Sequence, residues 1–285
     1  MKNYLPLPAG RVLPLGGEPC VMGIVNVTPD SFFAQSRAMD PRAAADRALG
    51  MLEEGAAVLD FGAESTRPGS RALDPEEEIR RLLPALKAFR RESGAPVSVD
   101  TRHARTALAC LDEGADIIND ISGLGDEDMA AAAASRKAGL VLMHMQGDPA
   151  TMQESPRYGD CAVEVRDFLL GRVNRALEAG VDPKAIILDP GIGFGKTLGH
   201  NLDLLSRLHL LVETGYPVLV GLSRKRFVGE LTGRDVPDRL PGSLGAACAA
   251  LAKGAAIFRV HDVASTVEAL KVFSASWTGA SKGEG

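Results

Sequence analysis

Cysteine is scarce in this chain of 285 residues: Cys20, Cys110, Cys161 and Cys248 are widely separated, form no C-x-x-C pair and have no zinc-ligand spacing. That excludes a disulfide framework and a zinc finger, and points to reduced, buried thiols in a cytosolic protein. Aromatic residues are only 5%, which suits an interior filled by Val, Ile, Leu and Ala. Positive charge is in deficit, with 32 Lys and Arg against 37 Asp and Glu for a net charge of −5, so the basic excess of a nucleic-acid binder is missing. Long apolar runs are missing too. The most apolar stretch, Leu244 to Val260, is interrupted by Lys253 and is too short to span a bilayer. The segment Met1 to Gly17 is broken by prolines and Arg11, so it lacks the apolar core of a secretory signal. The expectation is a soluble cytoplasmic protein that binds neither nucleic acid nor membrane.

What the chain does have is a repeat. Eight short apolar runs occur, nearly every one ending on a polar residue: Val21 to Asn26, Ala57 to Asp60, Val97 to Asp100, Asp116 to Asp120, Leu140 to His144, Ala185 to Asp189, Pro217 to Ser223 and Ala256 to His261. Each is followed by a helix-like stretch. Polar groups placed repeatedly at strand C-termini build one site at the top of a (β/α)₈ TIM barrel, an α/β fold of about 250 residues. No linker interrupts the repeat, so the chain reads as one domain over residues 1–285, with a core over about 20–275 and a flexible tail over 278–285.

Helix stops support this. Gly55, Gly114 and Gly254 each sit between a charged residue and Ala directly before a strand, and Gly180 is similar; glycine adopts the left-handed cap that ends a helix at little cost. Pro75 followed by Glu76, Glu77 and Glu78 starts a helix, and Ile79, Leu82, Leu83 and Leu86 give it one apolar face. Four connections are longer than a barrel requires: Thr28 to Asp40, Ala63 to Asp74, Met145 to Gly159 and Gly191 to Asn201. Long loops on the catalytic face bind substrate or close over it.

The strand ends supply Asn26, Asp60, Asp100, Asn119, Asp120, His144, Asp189, Ser223, Lys225, Arg259 and His261. Any single Asp or Asn here is also a favoured helix cap. Asp100, Asn119 and Asp189, on three strands aimed at one axis, together form an acceptor set for a flat heterocycle rich in N–H donors, such as a guanine-like or pterin edge. The complementary set is Arg67, Lys225, Arg259 and His261. Arg offers a fixed fork to phosphate, while Lys is a point charge that also donates to a ring carbonyl or nitrogen. With Asn26 and Thr66 nearby, the mouth suits a diphosphate held through Mg²⁺, an ion that takes few protein ligands. The run Gly191 to Lys196 is one residue too short for a P-loop. Its glycines let backbone approach a ligand while Phe194 covers a ring face, and Met143 is either the opposite wall or core.

Gly23-Ile24-Val25-Asn26-Val27-Thr28-Pro29-Asp30-Ser31-Phe32 and Glu64-Ser65-Thr66-Arg67-Pro68-Gly69 resemble the two opening signatures of the dihydropteroate synthase family. The resemblance runs on through Val99-Asp100-Thr101, Asn119 to Gly123, Met143 to Gly147, Asp189 to Lys196, Ser223-Arg224-Lys225 and Arg259 to Val263, covering Met22 to Val263. It implies a barrel enzyme that joins 6-hydroxymethyl-7,8-dihydropterin diphosphate to 4-aminobenzoate, with Mg²⁺, releasing diphosphate and forming 7,8-dihydropteroate for folate synthesis. By the same resemblance Asp100, Asn119, Met143, Asp189, Phe194, Gly221 and Lys225 surround the pterin. Thr66, Arg67, Pro68 and Ser223 form the aminobenzoate pocket, and Asn26, Arg259 and His261 hold the diphosphate, with Asn26 also on the metal. Lys225, Asp100, Asp189 and Arg67 are then the catalytic set, sulfonamides the expected inhibitors and a homodimer the expected assembly. One departure stands out: after Asp30-Ser31-Phe32 the family continues Ser-Asp-Gly-Gly, whereas this chain has Phe33-Ala34-Gln35-Ser36, losing an acid at Ala34. Two other readings follow from that loop and the shared pterin slot, a pterin-binding paralogue without catalysis and a corrinoid-dependent methyltetrahydrofolate methyltransferase. The cations at Lys225, Arg259 and His261 disfavour the second, whose donor has no diphosphate.

Overall fold

Apolar runs alternating with glycine-stopped helices fold as a ring in the computed structural model, which describes residues 4–27, 40–64 and 73–279. The strands are β1 (Tyr4–Pro6), β2 (Val12–Pro14), β3 (Cys20–Asn26), β4 (Val58–Gly62), β5 (Val97–Asp100), β6 (Ile117–Asp120), β7 (Gly139–Met143), β8 (Ile186–Asp189), β9 (Leu219–Gly221) and β10 (Ile257–Val260). The α-helices are α1 (Pro41–Glu53), α2 (Pro75–Glu92), α3 (Ala104–Asp112), α4 (Met129–Arg136), α5 (Cys161–Glu178), α6 (Leu198–Ser206), α7 (His209–Val212), α8 (Arg226–Thr232), α9 (Leu240–Ala252) and α10 (Val263–Thr278). Strands β3 to β10 pair in parallel in the order β8-β7-β6-β5-β4-β3-β10-β9. The ring closes where Leu188 bridges Val218, with Leu188 N donating to Pro217 O at 2.9 Å. This is the (β/α)₈ TIM barrel.

The expected helix stops are in place: Gly55, Gly114, Gly180 and Gly254 have φ between 89° and 99°, a backbone region that side chains disfavour. Asp74 caps α2 by accepting from Glu76 N at 2.9 Å, and the acidic first turn faces the positive end of the helix. The buried stripe of α2 is Glu78, Leu82, Ala85, Leu86 and Phe89, whereas Ile79 and Leu83, expected on the apolar face, are only half-buried. Two ends are shifted from the apolar runs. Strand β4 continues through Gly62, so Asp60 is mid-strand, and β9 stops at Gly221, leaving Ser223 and Lys225 in the following turn. Cys20, Cys110 and Cys161 are buried, Cys248 is half-buried, and all four are free thiols; burial pushes the Cys20 and Cys110 thiols up to about 12. Residues 28–39 and 65–72, and the tail beyond Gly279, lie outside the described residues.

Period-two alternation sorts each strand into a helix-facing and an axis-facing set. Val21, Val25, Leu59, Phe61, Val99, Ile118, Leu140, Leu142, Leu188, Val220 and Phe258 belong to the large core between strands and helices. A second core fills the bottom of the barrel: Met22, Val58, Ile117, Val141, Ile187, Leu219 and Ile257, packed with Leu5, Leu7, Leu13 and Leu15. Those four leucines come from the antiparallel hairpin β1–β2 and its flanks, which lie ahead of the expected core and were not legible among the prolines. The hairpin is tied down by charge as well, since the buried Asp116 takes Arg11 from the hairpin side, Arg90 Nη2 at 2.9 Å and Val97 N at 2.9 Å.

Candidate active site

The site follows from the same alternation. Two positions after these bottom-layer residues and the buried Ser98, the same face of the strand carries Ile24 (after Met22), Asp60 (after Val58), Asp100 (after Ser98), Asn119 (after Ile117), Met143 (after Val141), Asp189 (after Ile187), Gly221 (after Leu219) and Arg259 (after Ile257). The polar ring therefore stands directly on the apolar plug, inside the barrel and near its C-terminal rim. All except Arg259 are buried, and Arg259 is partly buried.

Arg259 organises one half of this ring. Its Nε donates to Asp60 Oδ2 and its Nη2 to Asp100 Oδ2, each at 2.6 Å, and Asn119 Nδ2 donates to Asp60 Oδ2 at 3.1 Å. Two acceptors are left over: Asp60 Oδ1 and Asn119 Oδ1 are buried and have no hydrogen-bond partner among the described residues. An orphaned acceptor in a dry site is costly until a donor reaches it, so these atoms mark where hydrogen-bond donors are wanted. Burial pushes the Asp100 carboxyl up to about 7 against the pull of Arg259, with Asp60 adding to the rise.

The other half is built by Asp189 and Lys225. Asp189 Oδ1 accepts from Gly191 N at 2.7 Å, and burial raises its carboxyl while Lys225 opposes the rise. Lys225 donates to Ile192 O, and its Nζ stands 4.3 Å from the centroid of the Phe194 ring. Burial brings the Lys225 ammonium down to about 8, with Asp189 resisting. The segment carrying Phe194 turns at Gly191, where φ is +65° and a Cβ would lie 1.9 Å from His144 O. Only glycine fits there. Behind it the buried Lys196 reaches His144 Nδ1 at 2.9 Å, and burial followed by the Lys196 charge pushes the imidazole down to about 3.

At the rim, Arg224 has φ of 58° and is anchored to Asp262 by Nε at 2.9 Å, which fixes the turn carrying Ser223 and Lys225. Ser223 Oγ stands 3.1 Å from His261 Nδ1 and accepts from His261 N at 3.3 Å. Asn26 ends β3 exposed. Thr66, Arg67 and Pro68 lie outside the described residues. Of the other sequence-derived candidates, Asp100, Asn119, Met143, Asp189, Gly221 and Arg259 share the ring, Lys225 and Phe194 cover one side, and Ser223 with His261 stands at the rim.

Some strand-end polar groups serve the scaffold instead. Asp120 accepts from Ser122 N at 2.8 Å and Leu124 N at 2.6 Å, closing its own turn. Beside β5, Glu64, Glu78 and His103 bring three ligand-type atoms within 4.8 Å of one another. Here Arg102 holds Glu64 at 2.7 Å, and Glu78 Oε2 takes Thr101 Oγ1 at 2.9 Å and His103 Nδ1 at 3.0 Å. The sequence assigned no role in the site to two side chains that the structure builds into it, Asp60 and Lys196. Asp60 was visible as an acid on a strand, and Lys196 only as the end of a glycine-rich run.

The family of pterin binding enzymes matches residues 22–261. Dihydropteroate synthase of Synechocystis sp. is 43% identical over 275 residues, covering 95% of each chain. The chain belongs to the dihydropteroate synthase family of pterin-binding enzymes. Among solved structures, Xanthomonas albilineans dihydropteroate synthase with 4-aminobenzoic acid superimposes with a TM-score of 0.88 at 44% identity, covering 96% of this chain and 98% of that one. Dihydropteroate synthase from Thermus thermophilus in complex with 6HMPPP gives a TM-score of 0.83 at 45% identity, covering 96% and 99%. Dihydropteroate synthases are transferases.

Proposed function

We propose that this chain works as a dihydropteroate synthase, joining 6-hydroxymethyl-7,8-dihydropterin diphosphate to 4-aminobenzoate with release of diphosphate. The observation that carries the reading is the buried ring above the plug: unspent acceptors at Asp60 and Asn119 beside Asp100 and Asp189, faced by Lys225. A bicyclic ring with several N–H donors and a carbonyl satisfies that pattern, and Phe194 offers it a face. The two relatives solved with 4-aminobenzoic acid and with 6HMPPP support the choice of substrates.

In the reaction the bond between the pterin methylene carbon and the diphosphate oxygen breaks, the diphosphate leaving with the electron pair. The arylamine nitrogen gives its lone pair to that carbon and sheds a proton. Such an amine is neutral and nucleophilic at about pH 7, so no activated serine or cysteine is needed. The task is electrostatic: fixed dipoles and charges must accommodate a cationic ring and an anionic leaving group in a water-poor site. Asp189, Asn119 and Asp100 hold the ring N–H groups, and Lys225 donates to its carbonyl or nitrogen. Met143 and Gly221 line the slot. Arg259 and His261 face the diphosphate, with Ser223, Thr66, Arg67 and Pro68 around the aminobenzoate. Asn26 offers an amide oxygen at the exposed strand end, a donor that fits Mg²⁺, which prefers oxygen and keeps several waters. The ion, when bound with the diphosphate, neutralises part of the leaving charge.

The same reading places the enzyme in the cytoplasm as a homodimer and makes sulfonamides its inhibitors. Support comes from the free thiols, from the lack, among the described residues, of any helix long and apolar enough to cross a membrane, and from the Yersinia pestis relative solved with a sulfonamide. The test is formation of dihydropteroate and diphosphate from the two substrates with Mg²⁺. Calorimetric binding of the pterin diphosphate without turnover would instead assign the chain to a non-catalytic paralogue.

A further inference from the structure

The segment from Gly191 to Gly195 has no strand or helix to satisfy its backbone, yet each of its five carbonyls is held by a side chain. Gly191 O takes Lys196 Nζ at 3.0 Å, Ile192 O takes Lys225 Nζ, Gly193 O takes Gln153 Nε2 at 2.6 Å, Phe194 O takes Lys196 Nζ at 2.9 Å, and Gly195 O takes Tyr158 Oη at 2.8 Å. Buried carbonyls must find donors somewhere. In a loop beside a ring-binding slot, water is the alternative donor, and water would compete with the ligand.

Lys196 is the centre of this arrangement. It is 3% exposed, and the three N–H groups of its ammonium are shared among four acceptors, His144 Nδ1 at 2.9 Å, Phe194 O at 2.9 Å, Gly191 O at 3.0 Å and, at the longest distance, His144 O at 3.3 Å. Two of the carbonyls it holds, Gly191 O and Phe194 O, bracket Ile192, the residue on whose carbonyl Lys225 rests. The imidazole it meets is itself wedged, edge-on to Phe168 at 4.8 Å between centroids. Lys196 therefore connects the end of β7, through His144, to the segment that presents Phe194 and Lys225.

We propose that Lys196 is a positioning residue for the pterin: it fixes the Gly191–Phe194 backbone so that Phe194 and Lys225 meet the ring, without touching the ring itself. The inference rests on the proposed function and deepens it by dividing the two substrates, since the clamp lies under the pterin slot and away from Ser223 at the rim.

The experiment measures pterin diphosphate affinity by calorimetry, and the KM of each substrate, for the full chain and for Lys196→Met and Lys196→Ala. Loss of two charge-assisted bonds predicts a rise of about tenfold or more in the Kd and KM for the pterin diphosphate. The KM for 4-aminobenzoate stays within about twofold. Added propylamine partly restores the pterin affinity of Lys196→Ala. Unchanged pterin affinity, or both KM values rising together, overturns the proposal, as does a lowered melting temperature with normal pterin binding. Should both variants fail to fold, Tyr158→Phe removes one O–H from Gly195 O and keeps the ring. It is expected to weaken pterin binding about threefold, the worth of one neutral hydrogen bond, and wild-type affinity would overturn the proposal. If the unaltered chain itself does not bind the pterin diphosphate, the proposed function fails rather than the role of Lys196.

Discussion

Arg259 on β10 donates to Asp100 on β5 at 2.6 Å although β3 and β4 lie between their strands. The bond therefore crosses the barrel interior, and the same guanidinium also holds Asp60. One cation serves two buried carboxylates. Replacing it with the apolar Arg259→Met leaves both uncompensated, and breaking a buried pair in this way costs about 3–5 kcal/mol. Urea denaturation is the measure; a loss under about 1 kcal/mol would mean the triad is not the interior brace described.

The Asp100 carboxyl gives stability a pH signature. Its folded value of about 7 lies above the ordinary 3.8. Between those values the folded chain keeps a proton that the unfolded chain has released, so stability falls as pH rises across the window. Asp100→Asn has no such proton. Wild type should lose more stability than the variant between about pH 4 and about pH 7, read as the shift in urea midpoint. Parallel slopes would contradict it.

Asp189 and Lys225 are expected to act on chemistry rather than folding alone. Asp189→Ala and Lys225→Ala should each lower kcat/KM by about 10²–10³, the usual effect of removing one preorganised electrostatic group. Steady-state kinetics at saturating aminobenzoate check this. An Asp189→Ala enzyme with near-normal turnover would remove the pterin ring from this site.

Gly191→Ala tests the backbone at the base of the ring-covering segment. A Cβ there would meet His144 O at 1.9 Å with φ at +65°, so the segment must shift. Pterin affinity should fall at least about tenfold, a displacement effect of the kind that misplaced positioning elements produce. Gly245→Ala, whose Cβ would meet nothing within 4 Å, serves as the control and should bind normally.

Much of this was legible in the sequence, and the reason is geometric. A barrel strand that is apolar until its last axis-facing residue announces both the fold and the site, as Ile117 with Asn119 and Ile187 with Asp189 do. Residue type alone does not say whether a side chain serves a ligand or its own turn, which is why Asp120 read like Asp100 yet closes a turn. Asp60 was seen as an acid but lacked a role until Arg259 and Asn119 were placed around it. Lys196 was hidden because its partners are mostly backbone carbonyls, which no sequence pattern displays. The hairpin β1–β2 was hidden for the opposite reason: proline-rich ends read as irregular, although Leu5, Leu7, Leu13 and Leu15 alternate toward the interior.

Those four leucines help to close one end of the barrel. With the lower end stoppered by these leucines together with Val58, Ile117, Val141, Ile187, Leu219 and Ile257, the barrel is a blind well that opens at its C-terminal rim, and a short N-terminal hairpin far from the polar ring helps to seal its floor.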